Sequence, residues 1–204
     1  MCDNTAFQAD RTLIRQCAPT LAGLKTASLF GWRERSGERL APRIREWDAA
    51  LQPKGLRALP LRSTREHSLV YVYRPDRLRA DLRTAEADAL LGELGYPSGC
   101  PGLCLARLIR RLREDGEFPH EIGLFLGYPP EDVRGFIEQR ASGYQCAGCW
   151  KVYGDACAAQ QRFALYRRCT RAYCRLWERG LSLEALTVTC KAKERLCESC
   201  RKQQ

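Results

Sequence analysis

The chain has 204 residues, 45% apolar and 28% charged, which suits one core and argues against global disorder. Its formal charge is +10, carried by 28 arginines against 6 lysines, and no apolar run approaches the roughly 18 residues that cross a bilayer. The opening MCDNTAFQADRTLIRQC has neither a basic start nor an apolar stretch, so no secretory signal and no lipid anchor at Cys2 is expected. In chain order, residues 8–18 predict a short helix stopping near Pro19, because the residue before proline avoids helical torsions. KTASLFGW at 25–32 predicts a first strand. Leu40, Ile44, Trp47 and Leu51 recur on one face of a helix. Residues 55–62 and 68–74, GLRALPLR and SLVYVYR, predict two more strands, the second rich in β-branched and aromatic residues.

From residue 76 onward the pattern predicts helices alone. Asp76 suits the cap of a helix reaching Gly95, with Leu78, Leu82, Ala85 and Ala89 inward. After the break PSGCP at 97–101, residues 102–114 set Cys104, Leu105, Leu108, Ile109 and Leu112 against four arginines. Residues 158–179 repeat that two-sided design. Arg167, Arg168, Arg171, Arg175 and Arg179 share one arc, and Gly180 stops the helix. A last short helix is expected over LSLEALTV at 181–188, followed by a basic tail containing cysteine. The expected fold is α+β: about three short strands in the first third, then a mostly helical remainder. One domain over 1–188 is expected, sheet-containing to about 95 and helical beyond, with a tail at 189–204.

CAPTLAGLKTASLF at 17–30, FPHEIGLFLGYPPEDVRGFI at 118–137 and CWKVYGD at 149–155 together resemble an uncharacterised family of Firmicute, mostly clostridial, proteins known as a domain of unknown function. The resemblance covers roughly residues 8–188. It implies a bacterial cytosolic protein and brings no activity with it. The polar residues in those stretches, Cys17, Thr20, Lys25, His120, Glu121, Asp132, Lys151, Tyr153 and Asp155, are the first candidates for a site.

Four chemistries fit the residues. The first is cysteine-centred: Cys17 with His120 as a thiolate–imidazolium pair, and Glu121 or Asp132 orienting the ring. Against it stands a buried Cys17 acting as a small apolar side chain. The second is nucleic-acid binding. Residues 122–137 have a helix-turn-helix rhythm, with Arg134 and Arg140 as basic contacts, although Glu131 and Asp132 would repel phosphate. Residues 160–204 carry +7 of the charge, and the five arginines at 167–179 would form a stripe roughly 18 Å long. An acidic protein would suit that stripe equally, and a solvated outer face is the plain alternative.

The third chemistry is a structural zinc held by Cys146-x-x-Cys149 and Cys197-x-x-Cys200, tying the tail to the body, with Cys157 and Cys190 as substitutes. Twelve cysteines in a chain expected in the cytoplasm read as thiols or ligands rather than disulfides. The fourth is a pocket for an anionic ligand, using Thr20, Lys25, Trp150, Lys151, Tyr153 and Asp155. Lysine inside such stretches of an arginine-rich chain suggests that the ammonium itself matters. Asp155 could equally cap the helix that follows. Neither a Walker A loop nor GxGxxG occurs, so no nucleotide cofactor held in those ways is expected. The favoured reading is a catalytic or ligand-binding site assembled from Cys17, Lys25, His120, Glu121, Lys151 and Asp155.

Overall fold

The computed structural model describes residues 3–33, 40–64, 67–114, 117–140 and 142–189. Three strands, β1 (Ala27–Arg33), β2 (Arg57–Ser63) and β3 (His67–Tyr73), form an antiparallel sheet in the order β1-β3-β2. β3 is central, and its alternation decides the layering. Val70 and Val72 point to one face, where they join α1 (Asp3–Leu21) and α2 (Leu40–Leu51). Tyr71, with Leu69 and Tyr73 beside it, joins the opposite face. That face is covered by α3 (Pro75–Leu82), α4 (Ala85–Glu93), α5 (Pro101–Arg113), α6 (Ile122–Phe125) and α7 (Pro130–Glu138). The fold is therefore α+β, with the sheet in the N-terminal third and a helical C-terminal part.

The long helix α8 (Ala156–Glu178) packs along α1, and its far end places Tyr173, Leu176 and Trp177 against the α1–α2 core. A two-stranded hairpin, β4 (Cys146–Ala147) and β5 (Lys151–Val152), precedes it. The hairpin seats Trp150 and Val152 in a third small core with Ala159 and Phe163 of α8.

The observed elements depart from the sequence pattern at four places. α1 runs through Pro19 to Leu21 rather than stopping before it. The proline sits in the last turns, and the freed end is satisfied from outside the helix. The buried Arg74 guanidinium donates to the carbonyls of Thr20 and Leu21, both at 2.8 Å, and to that of Val188 at 2.7 Å. A cation on the last carbonyls also suits the negative end of the helix dipole.

The helix expected from 76 to 95 is two helices, because Thr84 breaks the run and caps α4 by accepting from the N–H of Ala87. Ala85 and Ala89 are consequently exposed, and Ala87, Leu90 and Leu91 face the core. The hairpin β4–β5 lies where only helices were expected, since two-residue strands carry no readable period. Finally, 181–188 makes one turn, closed by the Leu186 N–H on the Ser182 carbonyl at 3.0 Å, instead of a helix. The Val188 N–H then leaves that turn to donate to the Leu21 carbonyl at 3.0 Å.

Candidate functional site

Lys25 is delivered by the end of α1. The Pro19 carbonyl accepts from the N–H groups of both Leu24 and Lys25, at 2.8 and 3.1 Å, which folds the 22–25 turn back on the helix. The half-buried Lys25 ammonium then lies 5.1 Å from the centre of the Tyr128 ring. It makes no hydrogen bond or ion pair with a carboxylate among the described residues. Burial lowers its pKa from 10.5, opposed by the thiolates that Cys149 and Cys17 form at alkaline pH.

Tyr128 stands on the α6–α7 turn, where Gly127 adopts φ +74°. A β-carbon at Gly127 would meet the Thr26 hydroxyl oxygen at 2.6 Å, so both the torsion and the close approach require glycine. The opposite side of Tyr128 stacks on Trp150 at 4.8 Å, and its hydroxyl donates to the Cys149 carbonyl at 3.2 Å. Trp150 in turn meets Phe163 edge-on at 4.5 Å.

Asp132 fixes this arrangement. Its carboxylate accepts from Trp150 Nε1 at 2.7 Å and from the N–H groups of Tyr153 and Gly154 at 2.7 and 2.8 Å. Three donors fill most of its acceptor capacity, so Asp132 anchors the hairpin rather than facing a cleft. The three stretches that carry the family resemblance thus meet at one place. Lys25 comes from the first, Tyr128 and Asp132 from the second, and Cys149 and Trp150 from the third.

Two cavities meet at Lys25 and Tyr166. The larger, about 580 Å³, has a basic wall of Lys25, Arg77 and Arg162 and an acidic one of Asp81 and Glu131. The Thr26 hydroxyl donates to Asp81 at its edge. The smaller, about 340 Å³, joins Lys25 and Cys149 to Arg167 and Arg171. Burial raises the pKa of Tyr166, while Arg162 and Arg77 oppose that rise. Burial likewise raises the Cys149 thiol despite Lys25 and Arg167 nearby.

The other expected site residues fall elsewhere. Cys17 is wholly buried in the α1–α2 core, and burial pushes its thiol up to about 12, although Lys25 and a hydrogen bond with Ser28 oppose the rise. Thr20 is buried beside it and shares a 2.9 Å hydrogen bond with Ser28. His120 lies in a different hollow of about 190 Å³, with Phe136, Trp150 and Lys151, and its ring meets Phe136 edge-on at 4.8 Å. The structure therefore does not pair Cys17 with His120. Tyr128 lines both the large cavity and the His120 hollow, so it stands between the two halves of the expected site.

Glu121 is buried and accepts from the Tyr96 hydroxyl at 2.6 Å and from Arg111, which accounts for it structurally. Lys151 lies 4.6 Å from the Tyr144 ring and 5.8 Å from that of Phe136. Tyr153 covers Gly135, where a β-carbon would strike its ring at 2.4 Å. Asp155 caps α8 by accepting from the Ala158 N–H at 2.9 Å. In the helix-turn-helix-like segment, α6 is buried throughout, and Arg134 is held by both oxygens of Glu93 at 2.8 Å. Arg140 is an exposed residue at φ 46° after α7. Arg167, Arg168, Arg171, Arg175 and Arg179 are all exposed, and none forms an ion pair among the described residues.

Cys146 and Cys149 sit on the hairpin as free thiols, while Cys190, Cys197 and Cys200 lie outside the described residues. Among the described residues no group of three or more His, Cys, Asp or Glu side chains could hold a metal ion. No described helix is long and apolar enough to cross a membrane. Tyr128, Tyr166, Arg77, Arg162, Thr26 and Asp81 were not anticipated. Of the residues around the two cavities, the sequence singled out Lys25 for an anion, Cys149 for zinc, and Arg167 and Arg171 for nucleic acid.

The fold and this geometry define an α+β protein with a cationic, lysine-centred pair of cavities. The chain belongs to the family described as Protein of unknown function (DUF3793), whose model matches residues 13–187. No curated protein and no solved structure matches it.

Proposed function

We infer that this protein binds a small anionic ligand at Lys25, in the space shared by the two cavities. The observation that carries the reading is an ammonium half-buried at a cavity junction with no carboxylate partner among the described residues. Sequestering such a charge without a counter-ion is costly, and a bound anion would supply one. Arg77 and Arg162 on one side, and Arg167 and Arg171 on the other, add donors suited to phosphate or carboxylate. Of the residues first grouped into a site, this reading keeps Lys25 and gains Cys149 as a neighbour. Glu121, Asp132 and Asp155 have structural partners that explain them.

The test is Lys25→Met with pyrophosphate as probe. The wild-type protein should gain thermal stability with pyrophosphate, and the variant should bind it roughly tenfold or more weakly. The unliganded variant should be more stable than wild type by about 1 kcal/mol, since an unpaired, partly desolvated charge is gone. The pH dependence has a definite sign. A folded-state pKa below 10.5 means that the unfolded chain holds the proton longer, so Lys25 adds stability as pH rises toward 10.5. That increment should vanish in Lys25→Met. Equal pyrophosphate affinity in both proteins would refute the reading.

A second reading rests on a separate observation, the five exposed arginines at 167–179 without ion pairs among the described residues. They support contact with a polyanion such as single-stranded nucleic acid, entered from the Arg162–Arg167 end beside the cavities.

A further inference from the structure

Lys25 carries an amine, and an amine in a cavity can do more than attract an anion. Three features of its surroundings bear on this. First, no carboxylate among the described residues pairs with it to hold it as ammonium. The charged groups lining its cavities are mostly cations: Arg77 from α3, and Arg162, Arg167 and Arg171 from α8. Burial favours the neutral amine, against the cation–π attraction of the Tyr128 ring for the ammonium. Second, the cavity is large enough, at about 580 Å³, for a small metabolite rather than a single ion. Third, the same cavity is lined by two carboxylates, Asp81 and Glu131, with Asp81 oriented by the Thr26 hydroxyl. Cys149 faces Lys25 from the hairpin, and its thiol is raised by burial and so stays protonated.

We propose that Lys25 forms an imine with a small carbonyl compound that also bears an anionic group, the arginines holding the anion while the amine takes the carbonyl carbon. The proposal rests on the anion-binding reading and goes beyond it by naming a covalent substrate class. The step balances without a further reactant. The neutral Nζ attacks the carbonyl carbon and gives a carbinolamine. One nitrogen proton moves to the former carbonyl oxygen, and the proton that the ammonium first gave to the acidic wall returns to that hydroxyl, which leaves as water as the C=N bond forms. The sum is an ammonium plus a carbonyl giving a protonated imine plus one water. The acidic wall, Asp81 and Glu131, relays the proton from the nitrogen to the departing oxygen. Arg77 and Arg162 fix the anionic end, which makes the attack effectively intramolecular.

The experiment uses the full-length protein with glyoxylate in one arm and glycolaldehyde phosphate in the other. Each arm contains sodium cyanoborohydride and is followed by peptide mapping in a mass spectrometer. The expected result is a reduced adduct on Lys25 at roughly ten times its level on Lys54 and Lys151 in the same sample, because of these three Lys25 has the anion site beside it. The arm with the higher yield tells whether a carboxylate or a phosphate is preferred. Labelling of Lys25 no greater than that of Lys54 in both arms overturns the proposal. Comparing lysines within one wild-type sample removes any dependence on the folding of a variant. Lys25→Arg adds a second measurement, keeping the charge without a primary amine. It should lose the dominant adduct while Lys54 and Lys151 are labelled as in wild type. A retained shift in wild type without a Lys25 adduct defeats the imine alone. Loss of both defeats the anion site as well.

Discussion

Cys17 shows how a reactive residue type can be made inert by position. Its side chain is fully enclosed by the α1–α2 core, and its thiol reaches about 12, whereas an unfolded thiol titrates near 9. Between those values the unfolded chain has lost the proton and the folded protein still holds it. Stability from this residue therefore falls as pH rises from 9 to 12, by about 4 kcal/mol at the upper end. Urea unfolding across that range should show a steeper alkaline loss for wild type than for Cys17→Ala, although the variant starts lower through the lost packing of its sulfur. Matching slopes in the two proteins would contradict this account. Other buried phenols, Tyr71 among them, titrate in the same direction, so only the difference between variants isolates the thiol. A cysteine at a helix end reads alike in sequence whether it is catalytic or buried, and enclosure decides which. Lys25 was legible for a compositional reason. Tyr128 and Tyr166 were not, because an aromatic ring on an apolar arc looks like core until its neighbours are known.

At the scale of elements, long regular periods were readable and short irregular joints were not. Leu40, Ile44, Trp47 and Leu51 are the four buried residues of α2, as their spacing dictates. The break at Thr84 and the hairpin at 146–152 depend on single hydrogen-bonding side chains, which hydrophobic periodicity does not report. Asp132 is the strongest of these. It ties α7 to the hairpin through three donors and positions Trp150 under Tyr128, the floor of the lysine cavity. Removing it leaves one buried and two part-buried donors without their acceptor. Asp132→Ala should cost about 3 kcal/mol of stability, shift tryptophan emission to the red and admit a soluble quencher to Trp150. Asp132→Asn should be milder, because an amide oxygen still accepts, although without the charge. A loss below about 1 kcal/mol in Asp132→Ala would mean that the hairpin is held by Val152 and Trp150 packing alone.

Across the whole molecule, the sheet separates two cores, and the candidate site lies where the turn after α1, the α6–α7 turn, the hairpin and α8 converge. The same α8 that lines the cavities carries its exposed arginines onward for much of its 23 residues, about 34 Å of helix. If that face tracks a phosphate backbone, its contribution must be electrostatic and salt-sensitive, whereas the cavity should respond to small anions at any modest salt concentration. Arg175 and Arg179 separate the two, since neither lines either of the two Lys25 cavities. The double variant Arg175→Gln, Arg179→Gln should bind a single-stranded oligonucleotide more weakly than wild type. The slope of log affinity against log salt should shrink by about 1.4, or 0.7 for each phosphate released from contact. Its pyrophosphate response should be unchanged, because Lys25, Arg77, Arg162 and Arg167 are intact. An unchanged slope, or no oligonucleotide binding by wild type at low salt, would reduce the arginine face to a solvated surface and leave the lysine cavities as the functional feature of the fold.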